Sequence, residues 1–272
     1  MNFNDYKYER VDINHTKKKF SSLIKLFSES KNIQEQIKYM DEVIKLRNHV
    51  DTMTTLVSIR HSINTNDEFY DNENEYCDEI SPIIFSFVTD FYKALINSKF
   101  RKELEEKYGK FLFDIAELSL KTFDEKIIND LQNENKLSSK YSKLIASAKI
   151  PFDGEDRNLS QMTPYTQSKD RNVRIEASKK VAHFFKKNKK KFDDIYDSLV
   201  KLRTNIAQKL GFKNYVELGY ARLLRIDYNS EMVSSYREQV LKYIVPLHTE
   251  LKKRQEKRLG LDKLSFYDEP IK

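Results

Sequence analysis

The side chains able to do chemistry in this 272-residue chain are few and scattered. Five histidines are present, His15, His49, His61, His183 and His248, with a single cysteine, Cys77. Imidazole, thiolate and carboxylate groups hold zinc when three or four of them converge. The chain has no His-Glu-x-x-His, the pattern that sets two imidazoles and a general base on one helix face. His49 and His61 are twelve residues apart, which places them on different faces of a straight helix. His248 has Glu250 two positions on, and residues i and i+2 of a helix do not face each other. The spacing offers no metal site, and these histidines read as ordinary surface or boundary residues. Cys77 would need to be a thiolate to act as a nucleophile; next to Ile80 and Ile83 it reads as a buried thiol in an apolar helix. The five glycines form no phosphate-binding loop and no Gly-x-Ser-x-Gly elbow.

The run from Phe184 to Phe192, FFKKNKKKF, allows two readings. Basic residues flanked by aromatics bind RNA. Alternatively, Phe184, Phe185 and Phe192 fall on the apolar stripes of two helices and are core, which leaves the lysines as a solvated corner. The second reading is preferred, because the net charge of +7 comes from 49 basic and 42 acidic residues interleaved along most helices. No nucleic-acid partner is expected. No apolar run approaches 18 residues, so no transmembrane helix and no membrane partner are expected. MNFNDYKYER lacks the apolar core of a secretory signal, and one cysteine cannot pair within the chain. Both fit a cytoplasmic location.

These residues must be positioned by helices. Residues 1 to 81 contain neither Gly nor Pro. Phe20, Leu23, Ile24 and Phe27 repeat at helical spacing within 15–30, as do Ile33, Ile37, Met40, Ile44, Val50, Met53 and Val57 within 33–63. A third helix is predicted over 67–108, with Ile80, Ile84, Phe87, Phe91 and Leu95 on a wide apolar face and Gly109 as its stop. Pro82 lies inside it and predicts a kink or break. Residues 112–146 read as helix with a break near 121–124. Ile150-Pro151-Phe152-Asp153-Gly154, with Arg157 to Leu159, predicts a small hairpin. Thr163-Pro164 reads as a helix start, with Thr163 as cap and Pro164 as first helical residue. Helices follow from about 168 to 187 and from 191 to 210, ended by Gly211. Asn214 caps the next helix, with Glu217 three residues on. A last long helix from about Ser230 carries Val233, Tyr236, Val240, Tyr243, Ile244, Leu247 and Leu251 as its stripe, with a bend at Pro246 and a stop at Gly260. The fold class predicted is all-α, multi-helix, with one small β-hairpin near residues 149–160.

Three segments, in order over residues 150–268, resemble the M3 family of zinc oligopeptidases and the oligoendopeptidase F branch in particular. The first is Ile150-Pro151-Phe152-Asp153-Gly154 followed by Leu159-Ser160-Gln161-Met162. The second is Asp170-Arg171-Asn172-Val173-Arg174-Ile175-Glu176-Ala177. The third is LVKLRTNIAQKLGFKNYVELGYARLLRIDY, Leu199 to Tyr228, extended through Ile244-Val245-Pro246-Leu247 and Leu259-Gly260-Leu261 to Tyr267-Asp268. The resemblance implies a largely helical fold with a deep channel between two halves. It implies a zinc ion held in the C-terminal half by a His-Glu-x-x-His helix and a later Glu, the motif Glu acting as general base on a metal-bound water. No position here corresponds to those residues, so the resemblance carries over no catalytic residue and no metal residue, and it leaves the substrate-binding residues unknown.

The expectation is therefore the N-terminal portion of a zinc oligoendopeptidase for short unfolded peptides, forming part of the substrate channel and inactive alone. No cofactor is expected in this chain, and zinc is expected in the C-terminal catalytic half, its partner. Three regions are expected: residues 1–110, an N-terminal helical region; 111–168, helices plus the hairpin; and 169–272, the start of the helical catalytic half, ending before the zinc motif. The alternative is a self-contained helical module binding protein or RNA.

Overall fold

The computed structural model describes residues 3–271; Met1, Asn2 and Lys272 lie outside them. The chain is predominantly helical, in the order α1 (Ile13–Glu29), α2 (Ile33–Ile63), α3 (Glu68–Ile96), α4 (Arg101–Tyr108), α5 (Lys110–Lys121) and α6 (Ile128–Ala146). The strands β1 (Ile150–Phe152) and β2 (Glu155–Arg157) follow, then α7 (Thr163–Thr166), α8 (Arg171–Lys187), α9 (Lys189–Lys209) and α10 (Tyr215–Arg222). Last come α11 (Ser230–Gln239), a π-helical turn (Val240–Ile244) and α12 (Val245–Arg258). No helix of the described residues is long and apolar enough to cross a membrane. The chain divides into two compact units, Met1–Lys140 with Asp197–Ile226 and Tyr141–Tyr196 with Asp227–Lys272, with α6 and α9 each contributing to both.

The first unit is built on α3. Its apolar stripe meets those of α1, α2, α4 and α5 in a core that includes Phe20, Phe27, Met40, Phe91, Leu95 and Phe113. Phe27 and Phe91 meet edge to face at 5.4 Å. Each side chain so buried contributes about 1.5–3 kcal/mol.

Pro82 neither breaks nor ends α3, which runs unbroken from Glu68 to Ile96. Its missing N–H deprives the carbonyl four residues back, that of Asp78, of a helical donor. Asn135 of α6 supplies one, its Nδ2 donating to Asp78 O at 3.0 Å, and Gln132 Nε2 donates to the next carbonyl, Glu79 O, at 2.8 Å. Lys136 pairs with Glu79 at 2.9 Å and Ser139 Oγ donates to Asp78 Oδ2 at 2.7 Å. Residues 132, 135, 136 and 139 share one face of α6, so a polar stripe docks where the proline leaves the backbone short of a donor.

The predicted single helix over 67–108 is two, separated at Asn97–Phe100. Asn97 Nδ2 turns back onto Lys93 O at 2.8 Å, and Ser98 Oγ donates to the buried Gln36 Oε1 at 2.6 Å while accepting from Phe100 N–H at 3.0 Å. Short polar side chains here bond the backbone in competition with the helix ladder.

In the second unit, β1 and β2 pair antiparallel in the register Ile150↔Arg157, joined by Asp153 (φ 54°) and Gly154 (φ 77°). Two successive left-handed residues give the tight turn whose twist matches the strands. Ile150 packs with Ala148, Met162, Ala177 and Phe184 in a small core. Helix α7 spans Thr163–Thr166 with Met162 in the cap position and no side-chain capping bond, so Thr163 is its first residue and not its cap. Phe184 is buried as predicted, but Phe192 is only half-buried against that core and Phe185 is 40% exposed, held against both rings at 5.3 and 5.5 Å.

Candidate functional site

The structure does not bring the histidines together. His15, His49, His183 and His248 are exposed. His61 is neither surface nor boundary: it is buried, its Nε2 3.1 Å from Asp71 Oδ1. It continues the Met53–Val57 stripe at the next four-residue step, a signal the sequence carries. Among the described residues, no group of three or more His, Cys, Asp or Glu side chains is placed to hold a metal ion. The residues present do not fit a zinc ion. Cys77 is half-buried rather than buried. Desolvation, helped by the nearby carboxylates of Glu73 and Asp78, pushes its thiol up to about 12. It is protonated at neutral pH and so a poor nucleophile.

The segments singled out by sequence pattern resolve into two buried ion clusters. In the second unit, Asp170 caps α8, accepting from Asn172 N–H at 2.8 Å. Arg171 and Arg174, three residues apart on one face, both close on Asp268, whose side chain is wholly buried. Asp268 Oδ2 accepts from Arg171 Nη2 at 2.8 Å, and Oδ1 accepts from Arg174 Nη2 at 2.8 Å. Arg174 also donates to the carbonyls of Tyr267, Ser168 and Lys169 at 2.7–3.0 Å. The hydrogen bond from Arg171, with those from Arg174 and Ser265 N–H, holds the Asp268 carboxyl far below the usual carboxylate range against the opposing effect of burial. The Asp-Arg-x-x-Arg and Tyr-Asp steps, 94 residues apart between Arg174 and Asp268, are one physical object.

In the first unit, Gly211 (φ 85°) ends α9 with Phe212 N–H bonded to Ala207 O and Gly211 N–H to Gln208 O, a Schellman stop. Asn214 Oδ1 then accepts from Val216 N–H at 2.9 Å. Arg203 of α9 and Arg222 of α10 converge on the buried Glu134 of α6, at 2.7 and 2.9 Å. A cleft of about 360 Å³ lies beside this cluster, lined by Arg47, Phe85, Val88, Tyr92, Arg222 and Leu224 among others. Leu224 holds φ 53°, a left-handed conformation costing a non-glycine residue roughly 1–2 kcal/mol.

The most exposed apolar feature is the terminal helix of the second unit. Neither α11, the π turn nor α12 contributes a buried residue. Tyr236 is 67% exposed, and Met232, Leu241, Tyr243, Ile244, Leu247 and Leu251 are all more than half exposed. Contiguous apolar surface of this kind marks an interaction site. The helix is fastened towards its C-terminal end. There Gln255 Nε2 donates to Glu269 O at 3.2 Å and also to Ile271 O, and Glu256 Oε2 accepts from Leu264 N–H at 2.7 Å.

Two family models match the chain, the Peptidase M3 N-terminal domain over residues 3–123 and Peptidase family M3 over residues 164–270. No curated protein matches the chain. Among solved structures it is similar to an oligoendopeptidase F from Bacillus anthracis strain Ames, with 51% identity and a TM-score of 0.96, over 99% of this chain and 50% of that one. It is similar to PZ peptidase A, solved with an inhibitor, at 51% identity and a TM-score of 0.96, over 98% of this chain and 48% of that one. An oligoendopeptidase-F from Enterococcus faecium, 15% identical with a TM-score of 0.68, shares the fold over 94% of this chain and 55% of that one. The chain thus spans about half the length of the solved relatives it matches. The two models, the half-length likeness at about 50% identity and the all-helical fold with its one hairpin converge: this chain belongs to the M3 peptidase family, on the side of oligoendopeptidase F.

Proposed function

We propose that these residues are the N-terminal half of a zinc-dependent oligoendopeptidase that hydrolyses short unfolded peptides, and that they contribute wall to its substrate channel. The carrying observation is the half-length likeness at 51% identity. The bare apolar stripe of α11 and α12 supports it, because such a surface is stabilised when a further part of the protein covers it. In this reading residues 1–110 are an N-terminal helical region, 111–168 a connecting region with the hairpin, and 169–272 the start of the catalytic half. The zinc, its ligands and the general base belong to the C-terminal half, and Arg171, Arg174, Asp268, Arg203, Arg222 and Glu134 act as scaffold. Channel access through helical walls selects unfolded peptides by size.

The test is to express residues 1–272 alone and together with the C-terminal half encoded by a relative. Residues 1–272 are expected to hold no stoichiometric zinc and to cleave no quenched fluorogenic peptide. The reconstituted pair is expected to show chelator-sensitive cleavage. One tightly held zinc per chain, or chelator-sensitive cleavage by residues 1–272, would refute the division of labour.

A further inference from the structure

The second unit contains a pocket whose charge has no counterpart in the peptidase reading. It has a volume of about 520 Å³ and is lined by Lys149 beside β1, by Lys180, His183 and Lys187 of α8, and by Lys191 of α9. Its floor is apolar, formed in part by Ile150 and Phe184, both buried. Among the described residues, no carboxylate lines it.

The local ion pairs sharpen the contrast. Lys179, Lys189 and Lys190, which lie outside the pocket lining, are each paired at helical spacing, with Glu176, Asp193 and Asp194. Lys149, Lys187 and Lys191 have no such pair among the described residues, and Lys180 makes no close pair either, though Glu176 one turn before it feels its charge. Three ion-paired lysines of this region thus lie outside the lining, while four lysines without a close ion pair lie within it. Like charges on four exposed lysines around one concavity repel, and they raise a positive local potential that concentrates anions.

We infer that this pocket binds a compact polyphosphate anion of about triphosphate size. Four ammonium groups match the charge of a triphosphate. Lysine is a rotatable point charge suited to phosphate oxygens arrayed in several directions; a planar carboxylate is better met by the arginine fork, which is missing from the lining. The apolar floor would accept a base or other flat group attached to the phosphates. The ligand is either an inorganic polyphosphate or the triphosphate of a nucleotide, and the two arms of the experiment separate these sources.

Calorimetric titration of the 272-residue chain with sodium tripolyphosphate, and in parallel with ATP, tests the inference at about 50 mM salt, where phosphate contacts are little screened. One saturable site per chain is expected. The Lys187→Ser/Lys191→Ser variant is expected to weaken it by about tenfold or more, and Lys180→Ser to weaken it independently. The Lys189→Ser/Lys190→Ser variant, which removes two lysines outside the pocket, is expected to leave it within about twofold. Thermal melts of each variant separate loss of binding from loss of fold. Tighter binding of ATP than of tripolyphosphate supports the nucleotide source, and the reverse supports the inorganic one. Equal losses in the two double variants, no saturable binding by either probe, or single-stranded RNA binding that tripolyphosphate fails to displace would each overturn it.

Discussion

Two helices of this chain each carry an internal proline, and they solve the problem in opposite ways. In α3, Pro82 is buried, and the carbonyl it orphans receives a side-chain donor from Asn135. In the terminal helix, Pro246 is exposed, and the strain is absorbed by a π-helical turn just before it. Water can serve the exposed backbone, whereas the buried one needs a dedicated protein partner. The stripes differ in the same sense. The apolar residues of α3 are covered by four other helices, while most of those of α11 and α12 are exposed and none is buried. One periodicity thus describes both a covered stripe and an exposed one.

The largest effect is expected where the terminal helix is fastened. Asp268→Asn removes the charge that Arg171 and Arg174 share and leaves a buried guanidinium uncompensated. A loss of about 3–5 kcal/mol is expected, read by urea unfolding of the second unit. The wild type should show the matching acid sensitivity. Because the folded carboxyl titrates below its unfolded value, its contribution is complete above the ordinary carboxylate range near 4 and is lost progressively as the pH falls from there towards the depressed folded value. A flat stability profile between about pH 5 and pH 2 would contradict the assignment.

Next comes the contrast between the stripes. Leu95→Ala in the α3 core should cost about 2–5 kcal/mol by opening a cavity. Leu247→Ala, removing a side chain 56% exposed, should change the stability of residues 1–272 by less than about 0.5 kcal/mol. A large loss at Leu247 would mean the stripe is already covered, and the comparison would fail.

The sequence made the element types and most boundaries legible, because period and punctuation are local. Gly109, Gly211 and Gly260 each stand in the left-handed conformation that their placement after a stripe implies, and Asp153-Gly154 forms the tight turn. The helix break at Asn97–Phe100 was hidden, since it depends on Ser98 reaching the buried Gln36, 62 residues away. Burial was half legible. Tyr236, Leu247 and Leu251 form the stripe their spacing predicts, but spacing does not say whether anything packs on it. The ion clusters were visible only as motifs: nothing local says that Arg174 meets Asp268 or that Arg222 meets Glu134.

Asn135→Leu attacks the buried proline's compensation directly. It removes the Asn135 donor to Asp78 O while keeping the branched side-chain shape, and should cost about 1–3 kcal/mol. The Pro82→Ala/Asn135→Leu double variant regains a backbone N–H for the same carbonyl. It should recover part of that loss in a double-mutant cycle, and additivity would show that Asn135 acts for some other reason.

The smallest effect belongs to the exposed proline. Pro246→Ala restores an N–H that could bond Lys242 O and complete a regular helix through the π turn. In residues 1–272 the only opposing contacts would be those of a bare surface, so α11 and α12 should merge, with a gain in stability of under about 1 kcal/mol and a small rise in helical circular dichroism. If, as proposed, a C-terminal half covers the stripe, the outcome reverses where the π turn sets the direction in which Leu247 and Leu251 present themselves to it. Straightening the helix rotates those side chains around its axis, so reconstitution with the C-terminal half should weaken even as residues 1–272 become more stable. Equal gains in both settings would leave the π turn as backbone accommodation alone, and the difference between the two prolines would reduce to exposure.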